Sequence, residues 1–274
     1  MTAVYPPDKH LLRDLRFSFE HDDDGARSRA WMPVVAELCT DLGHARAGAI
    51  ATLVDVIGGG LAATAAAPDW IATADLTLHL VAGAGPGSVV EARASVLRAG
   101  RTTVVIEVEL VDERETQLGI ATMSFAVLPR RDSNPDVTIV RESSSTMAMP
   151  DSRLRRPLLH ELGVVVRDAR RGEIDVPVGA WTLNSMGAMQ GGVVATVAEV
   201  AAETALRAAC GEPLVVADMY VTYLGFGRVG PVRTSVDVLA AHDGHGTARV
   251  ELVDAGAENR RMTVVHAVAT RGFG

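Results

Sequence analysis

Two acids stand where their neighbours leave little room for water. Asp55 lies in A-G-A-I-A-T-L-V-D-V (47–56) and Glu199 in G-G-V-V-A-T-V-A-E-V (191–200), each inside an apolar, helix-forming run. Desolvation in such a run should raise a carboxyl pKa. Gly191 and Gly192 open the second run, so their N–H groups lack intrahelical acceptors and carry the positive end of the helix dipole. With no side chain in the way, a ligand can approach that backbone closely. An amide N–H so placed is a good donor to an oxyanion developing on a carbonyl. Two plainer readings stand beside these. Gly-Gly is also an ordinary helix start, and Asp55 could be a structural acid that meets solvent or an arginine at a seam.

Spacing decides which acid can meet which helix end. Asp55 lies eight residues beyond Ala47, and Glu199 eight beyond Gly191. At the helical rise per residue this is about 12 Å along the axis. One helix therefore cannot bring its own acid and its own N-terminus to one carbonyl. Two helices packed antiparallel can, each supplying the acid for the other. The expectation is two composite sites, with Asp55 facing Gly191 and Glu199 facing Ala47 and Gly48.

The elements that would hold such helices are written twice. R-A-G-A-I-A-T-L-V-D-V (46–56) is echoed 144 residues later by Q-G-G-V-V-A-T-V-A-E-V (190–200). Downstream, I-A-T-A-D-L-T-L (71–78) parallels V-V-A-D-M-Y-V-T (215–222), and V-V-I-E-V-E-L (104–110) parallels A-R-V-E-L-V-D (248–254). The period is too long for a solenoid repeat. A chain of 274 residues holds two units of about 130 residues, each with its own core. Each unit offers a short strand (15–20; 163–166), a second (30–35; 173–178), a loop and the long helix. Strand-like segments follow at 71–81, 88–98, 102–112 and 118–128, and at 214–224, 231–240, 246–254 and 261–270. The alternation in T-T-V-V-I-E-V-E-L and R-T-S-V-D-V-L suits half-buried antiparallel strands.

A helix that is apolar all round must be covered on nearly every side, and one curved antiparallel sheet wrapped about it does this. The pattern predicts an α+β chain of two such units paired edge to edge. The units are placed at 1–128 and 158–274, joined by a polar, Pro- and Ser-rich linker at 129–157. The linker's Arg130, Arg131, Arg153, Arg155 and Arg156 read most simply as a solvated basic face.

Composition removes several classes. Hydrophobic residues make up 48% but aromatics only 4%, so Ala, Val and Leu must fill the core. A net charge of −8 argues against a nucleic-acid partner, which calls for a basic face. Cys39 and Cys210 have no metal-ligand spacing and fit a reducing cytoplasm. The start, M-T-A-V-Y-P-P-D-K-H, lacks the apolar core of a secretion signal, so a cytoplasmic location is expected. The run 47–67 carries a single charge and is long enough to span a bilayer. Its counterpart at 191–209 carries Glu199, Glu203 and Arg207, so both are read as buried helices with no membrane partner.

The stretch N184-S-M-G-A-M-Q-G-G-V-V-A-T-V-A-E199 resembles the signature of the hotdog-fold thioesterases of the phenylacetic-acid-degradation type. That signature is N-x-x-G-x-x-H-G-G, with a carboxylate eight residues past the first Gly of the pair. A-D-L (74–76) and A-D-M (217–219) resemble the family's strand after the helix, and R-A-G-R-T-T-V-V-I-E-V-E-L (98–110) its turn-and-strand segment. Both halves are covered. The resemblance thus implies an α+β double hotdog, each repeat a long central helix wrapped by a curved antiparallel sheet. It implies hydrolysis of an acyl thioester, with Asp55 as base on a water or as nucleophile and Gly191 N–H as oxyanion donor. Asn184 would position the water or the carboxylate. The implied partner is a small-molecule acyl-coenzyme A, with no further cofactor. Arg98 and Arg101 are the implied anion site for its nucleotide.

Set against that pattern, the two composite sites differ. Asn184, Gln190, Gly191 and Gly192 with Asp55 depart only at Gln190, where His is usual. Thr40, Arg46, Ala47 and Gly48 with Glu199 depart at Thr40, Arg46 and Ala47, whose Cβ crowds the approach. The Asp55 site is expected to work and the Glu199 site to be degraded. The same departures leave open a non-catalytic acyl-CoA or small-ligand binding protein. Glu203, one turn after Glu199, belongs either to that site or to the surface. Gly58–Gly60 suggest room for a longer or aromatic acyl group. His44, His79, His160, His242, His245 and His266 show no metal-ligand spacing, and no metal is expected. G-x-S-x-G, P-loop and H-E-x-x-H motifs are absent, as is the G-D-x-N-P-x-H type sequence of hotdog hydratases. A homodimer of the whole chain is a further expectation.

Overall fold

The long strands begin and end near the period-2 runs, whereas the short strands expected at 15–20, 30–35 and 163–166 fall at Ser18–His21, Arg27–Pro33 and Val165–Asp168. In a computed structural model, which describes residues 3–22, 25–130, 137–138 and 143–273, thirteen strands form one sheet. The first unit supplies β1 (Ser18–His21), β2 (Arg27–Pro33), β3 (Trp70–Leu80), β4 (Val89–Ala99), β5 (Thr103–Asp112) and β6 (Gln117–Leu128). Then come β7 (Ser144–Thr146), β8 (Val165–Asp168), β9 (Glu173–Val176), β10 (Val215–Tyr223), β11 (Val232–His242), β12 (His245–Asp254) and β13 (Arg260–Thr270). Arg131 of the 129–157 interval lies outside the described residues. Within that interval, β7 lies along β1 with Ser18 opposite Thr146.

The sheet runs β8-β9-β11-β12-β13-β10-β3-β6-β5-β4-β2-β1-β7, with antiparallel neighbours. Outward from the central β3–β10 pair the order is the same in both directions, which is an internal two-fold. Thr77 faces Tyr220 and Leu76 faces Val221 across that seam. In β5 the alternate residues Val104, Ile106, Val108 and Leu110 are buried, and in β12 Ala248, Val250 and Leu252 are. The polar residues between them face outward, as a half-buried antiparallel strand requires. The expected architecture, a curved antiparallel sheet wrapped round one long helix in each of two repeats, is the one observed.

The helices α1 (Ala47–Ala66) and α2 (Gly191–Cys210) lie side by side beneath the sheet. Helix α1 is long and apolar enough to cross a membrane, but here it packs on α2 and on β2–β6. It ends before Pro68, which cannot continue a helix. Helix α2 ends at Gly211, held at φ 80° and bonded back to Arg207 O at 2.9 Å. What sets the helix pairing is a reciprocal contact of glycine on threonine. A Cβ on Gly48 would overlap the backbone of Thr196, and a Cβ on Gly192 would overlap that of Thr52. Thr52 Oγ1 donates to Gly48 O at 2.8 Å and Thr196 Oγ1 to Gly192 O at 2.9 Å. Gly48 faces Thr196 while Thr52 faces Gly192, so the helices run antiparallel. This crossing brings each helix's acid to the other's N-terminus.

Candidate active site

Asp55 reaches the N-terminus of α2. A side chain on Gly191 would begin 2.8 Å from Asp55 Oδ2, so the glycine is what lets the carboxylate lie against that backbone. Asp55 Oδ1 accepts from Thr73 Oγ1 at 2.9 Å, and Oδ2 accepts from Gln190 Nε2 at 2.9 Å. Gln190 is also the N-cap of α2, its Oε1 accepting from Val193 N–H at 3.1 Å. One amide thus serves two ends, fixing the helix start and aiming the acid. Burial pushes the Asp55 carboxyl up to about 6, with the Thr73 hydroxyl and the Gly192 N–H pulling it back.

The loop before α2 is built by Asn184. Its Oδ1 accepts from Met186 N at 2.9 Å and from Ala188 N at 3.1 Å, an Asx-type turn that Gly187 completes at φ 70°. Two residues from elsewhere brace this loop. Tyr5 Oη donates to Leu183 O at 3.3 Å. His10 Nδ1 accepts from Leu12 N–H at 3.2 Å, which leaves Nε2 to donate to Leu183 O at 2.7 Å. Tyr223, the last residue of β10, donates to Gly191 O at 2.9 Å. Burial first, and the Asp55 charge second, hold the Tyr223 phenol neutral, its pKa well above the usual value.

At the other seam the acid has consumed its own donors. Glu199, 1% exposed, accepts from Ala47 N–H and from Gly48 N–H, both at 3.0 Å. Arg46 Nη1 stands 3.8 Å from Glu199 Oε1 and 3.1 Å from Glu203 Oε2. Glu203 Oε1 takes Val216 N–H at 3.2 Å. Glu203 is therefore part of this network rather than a surface residue. Burial and then the Glu199 charge push the Glu203 carboxyl up to about 8, against the pull of Arg46. Thr40 Oγ1 is buried and has no partner among the described residues.

Arg98, near the end of β4, and Arg101, in the β4–β5 turn, stay exposed. Thr73, Phe125, Val104 and Ala99 share one row across β3, β6, β5 and β4. That puts the turn three strand spacings, about 14 Å, from the residue that holds Asp55. The room suggested at Gly58 is taken, since a Cβ there would begin 2.9 Å from Met123 Sδ and 3.5 Å from the Phe125 ring.

Thr73, Tyr223, Tyr5 and His10 escaped the sequence reading. For Thr73 a signal was present. Aligning A-D-L (74–76) with A-D-M (217–219) sets Thr73 against Val216, a hydroxyl for an isopropyl in an otherwise matched segment. The register of β3 shifts between Thr73 and Asp75, and bulges of this kind re-aim side chains at sites.

The sequence matches the family model of the thioesterase superfamily over residues 42–118 and 186–259, more than half of the chain. A search of curated proteins finds no match. Among solved structures, an acyl-ACP thioesterase from Bacteroides thetaiotaomicron is 9% identical with a TM-score of 0.61, over 90% of this chain and 99% of that one. The 12:0-ACP thioesterase from Umbellularia californica is 8% identical with a TM-score of 0.59, over 89% and 93%. The tesB protein of Mycobacterium avium subs paratuberculosis is 14% identical with a TM-score of 0.59, over 91% and 94%. At these identities the structures share the fold with this chain.

Proposed function

Because this chain belongs to the thioesterase superfamily, we propose that it hydrolyses acyl thioesters, with acyl-coenzyme A as the carrier form, at the seam that holds Asp55. The observation that carries the reading is the contrast between the seams. Asp55 is held by Thr73 and Gln190 against an α2 N-terminus whose Gly191 N–H donates to no group among the described residues. Glu199 has filled the equivalent amides itself.

In this reading the thioester carbonyl oxygen lies on the Gly191 N–H, which stabilises the oxyanion in a site that costs no reorganisation. Asp55 takes a proton from a water as its oxygen bonds to the carbonyl carbon. The C–S bond then breaks, and the proton passes from Asp55 to the leaving thiolate, giving a free acid and a thiol. Thr73 and Gln190 anchor both Asp55 oxygens, which favours a fixed base over a swinging nucleophile. Tyr223 fixes the Gly191 peptide, and Asn184 shapes the loop that delivers Gln190. Arg98 and Arg101 are proposed to meet the phosphates of the nucleotide. The reading places the chain in the cytoplasm, where acyl-CoA is made and used, working without a nucleic-acid or membrane partner. The test is thiol release from short, long and aromatic acyl-CoAs. Turnover of at least one class is expected, whereas tight binding of every class with no release would establish a binding protein instead.

A further inference from the structure

A cleft of about 170 Å³ opens at the Glu199 seam, lined by Thr40, Arg46, Val200, Glu203, Arg207 and Leu214 among others. The internal two-fold sets its counterpart at the Asp55 seam, and three exchanges change the character of the helix wall. Glu203, Thr204 and Arg207 on α2 correspond to Gly59, Gly60 and Ala63 on α1. At the Glu199 seam Arg207 pairs with Asp41 at 3.1 Å, and Arg46 pairs with Glu203 at 3.1 Å. The Asp55 seam has neither pair, because Ser185 and Ala63 stand where Asp41 and Arg207 do, and Gln190 and Gly59 where Arg46 and Glu203 do.

Exposure follows the same line. Helix α1 is buried from Ala47 to Val54, yet Asp55, Val56, Gly59, Gly60 and Ala63 are partly exposed. That spacing is one face of a helix, and it begins at the acid. Trp70 and Ile71, also partly exposed, stand where the second unit has Pro213 and Leu214. Beyond Asp55 these residues are all apolar. A Cβ on Gly59 would meet only the edge of the Phe125 ring, at 3.8 Å, so the space beside it is open.

We propose that this face of α1 is the acyl groove of the Asp55 site, and that Gly59 and Ala63 select apolar acyl groups long enough to run from Asp55 to Ala63. The run is about 12 Å. The inference rests on the thioester reading above. At the Glu199 seam the same path is crossed by two ion pairs, and an apolar chain would have to desolvate them without replacing their partners.

The variant is Gly59→Leu, which adds a side chain where a Cβ fits and replaces a poor helix former with a good one. Wild type and variant are compared on butyryl-, decanoyl- and palmitoyl-CoA by thiol release, and on decanoate by calorimetry, with melting curves to confirm folding. The expected result is a fall in kcat/KM of about tenfold or more on the long chains relative to butyryl-CoA, with decanoate affinity weakened in parallel. An equal fall on all three substrates would overturn the proposal, because the stripe would then hold the pantetheine arm common to them. If the wild type releases no thiol, the hydrolase reading fails. Decanoate binding that is lost in Gly59→Leu would then still uphold the groove, and no decanoate binding by the wild type would overturn it.

Discussion

Glu199 carries one more methylene than Asp55, and that length decides what each oxygen touches. Glu199 takes both first amides, Ala47 and Gly48 N–H, while Asp55 is held by the side chains of Thr73 and Gln190 and by the Gly192 N–H, and leaves the Gly191 N–H free among the described residues. A base must be ionised to work, so with a carboxyl at about 6 kcat/KM should fall as pH drops through that value. Thr73→Val removes a hydrogen bond that favours the charged form. The acid limb of the pH–rate profile should therefore move to higher pH, with kcat lowered about tenfold to a hundredfold; an unmoved limb would reduce Thr73 to packing. Asp55→Asn separates function from stability. A folded carboxyl raised from 3.8 to about 6 binds its proton more tightly than the unfolded one, so its stabilisation is lost as pH rises across that interval. At pH 8 Asp55→Asn should melt no lower than wild type, and higher by up to ~3 kcal/mol in stability. A large loss of stability there would mark Asp55 as a structural acid.

The two helices depend on two glycines for their approach. Gly48→Ala and Gly192→Ala each drive a Cβ into the facing threonine and should each destabilise the chain by about 1–3 kcal/mol, read by thermal or chemical denaturation. A neutral result at both positions would mean that the helices pack less closely than described. Much at this scale was legible in the sequence. The strands expected at 88–98, 118–128 and 261–270 are Val89–Ala99, Gln117–Leu128 and Arg260–Thr270, because period-2 burial and turn residues fix strands locally. The pairing of each acid with the other helix's N-terminus followed from the helical rise together with two antiparallel helices. Tyr223 and His10 were not legible, and Thr73 only as a hydroxyl set against Val216 of the other repeat. Thr73 and Tyr223 reach partners on the helix of their own repeat, and His10 reaches Leu183 of the other; the residue type of a threonine or tyrosine does not say which face a bulge will turn it to. Gly192 was read for backbone access to a ligand and Gly48 as part of the Glu199 site, although each also accommodates a threonine of the facing helix.

Duplication has given one molecule two seams with separate tasks. The Asp55 seam is aimed and open, and the Glu199 seam is locked by Arg46, Glu203 and two amides. The arginine, alanine and glutamates behind that lock could be read singly from the sequence. Their closure into one network needed the helix crossing. Glu199→Gln sets an NH2 group against one of the two amides that now donate to the carboxylate and leaves that N–H unpaired, so it should cost about 1–3 kcal/mol of stability while the Asp55 seam keeps working. The direct test of the division is thiol release by wild type, Asp55→Asn and Glu199→Gln on the acyl-CoA that the wild type turns over best. The account predicts that Asp55→Asn is inactive and that folded Glu199→Gln stays within about threefold of wild type, less than RT ln 10 in barrier height. Activity retained in Asp55→Asn, or lost in a folded Glu199→Gln, would contradict it.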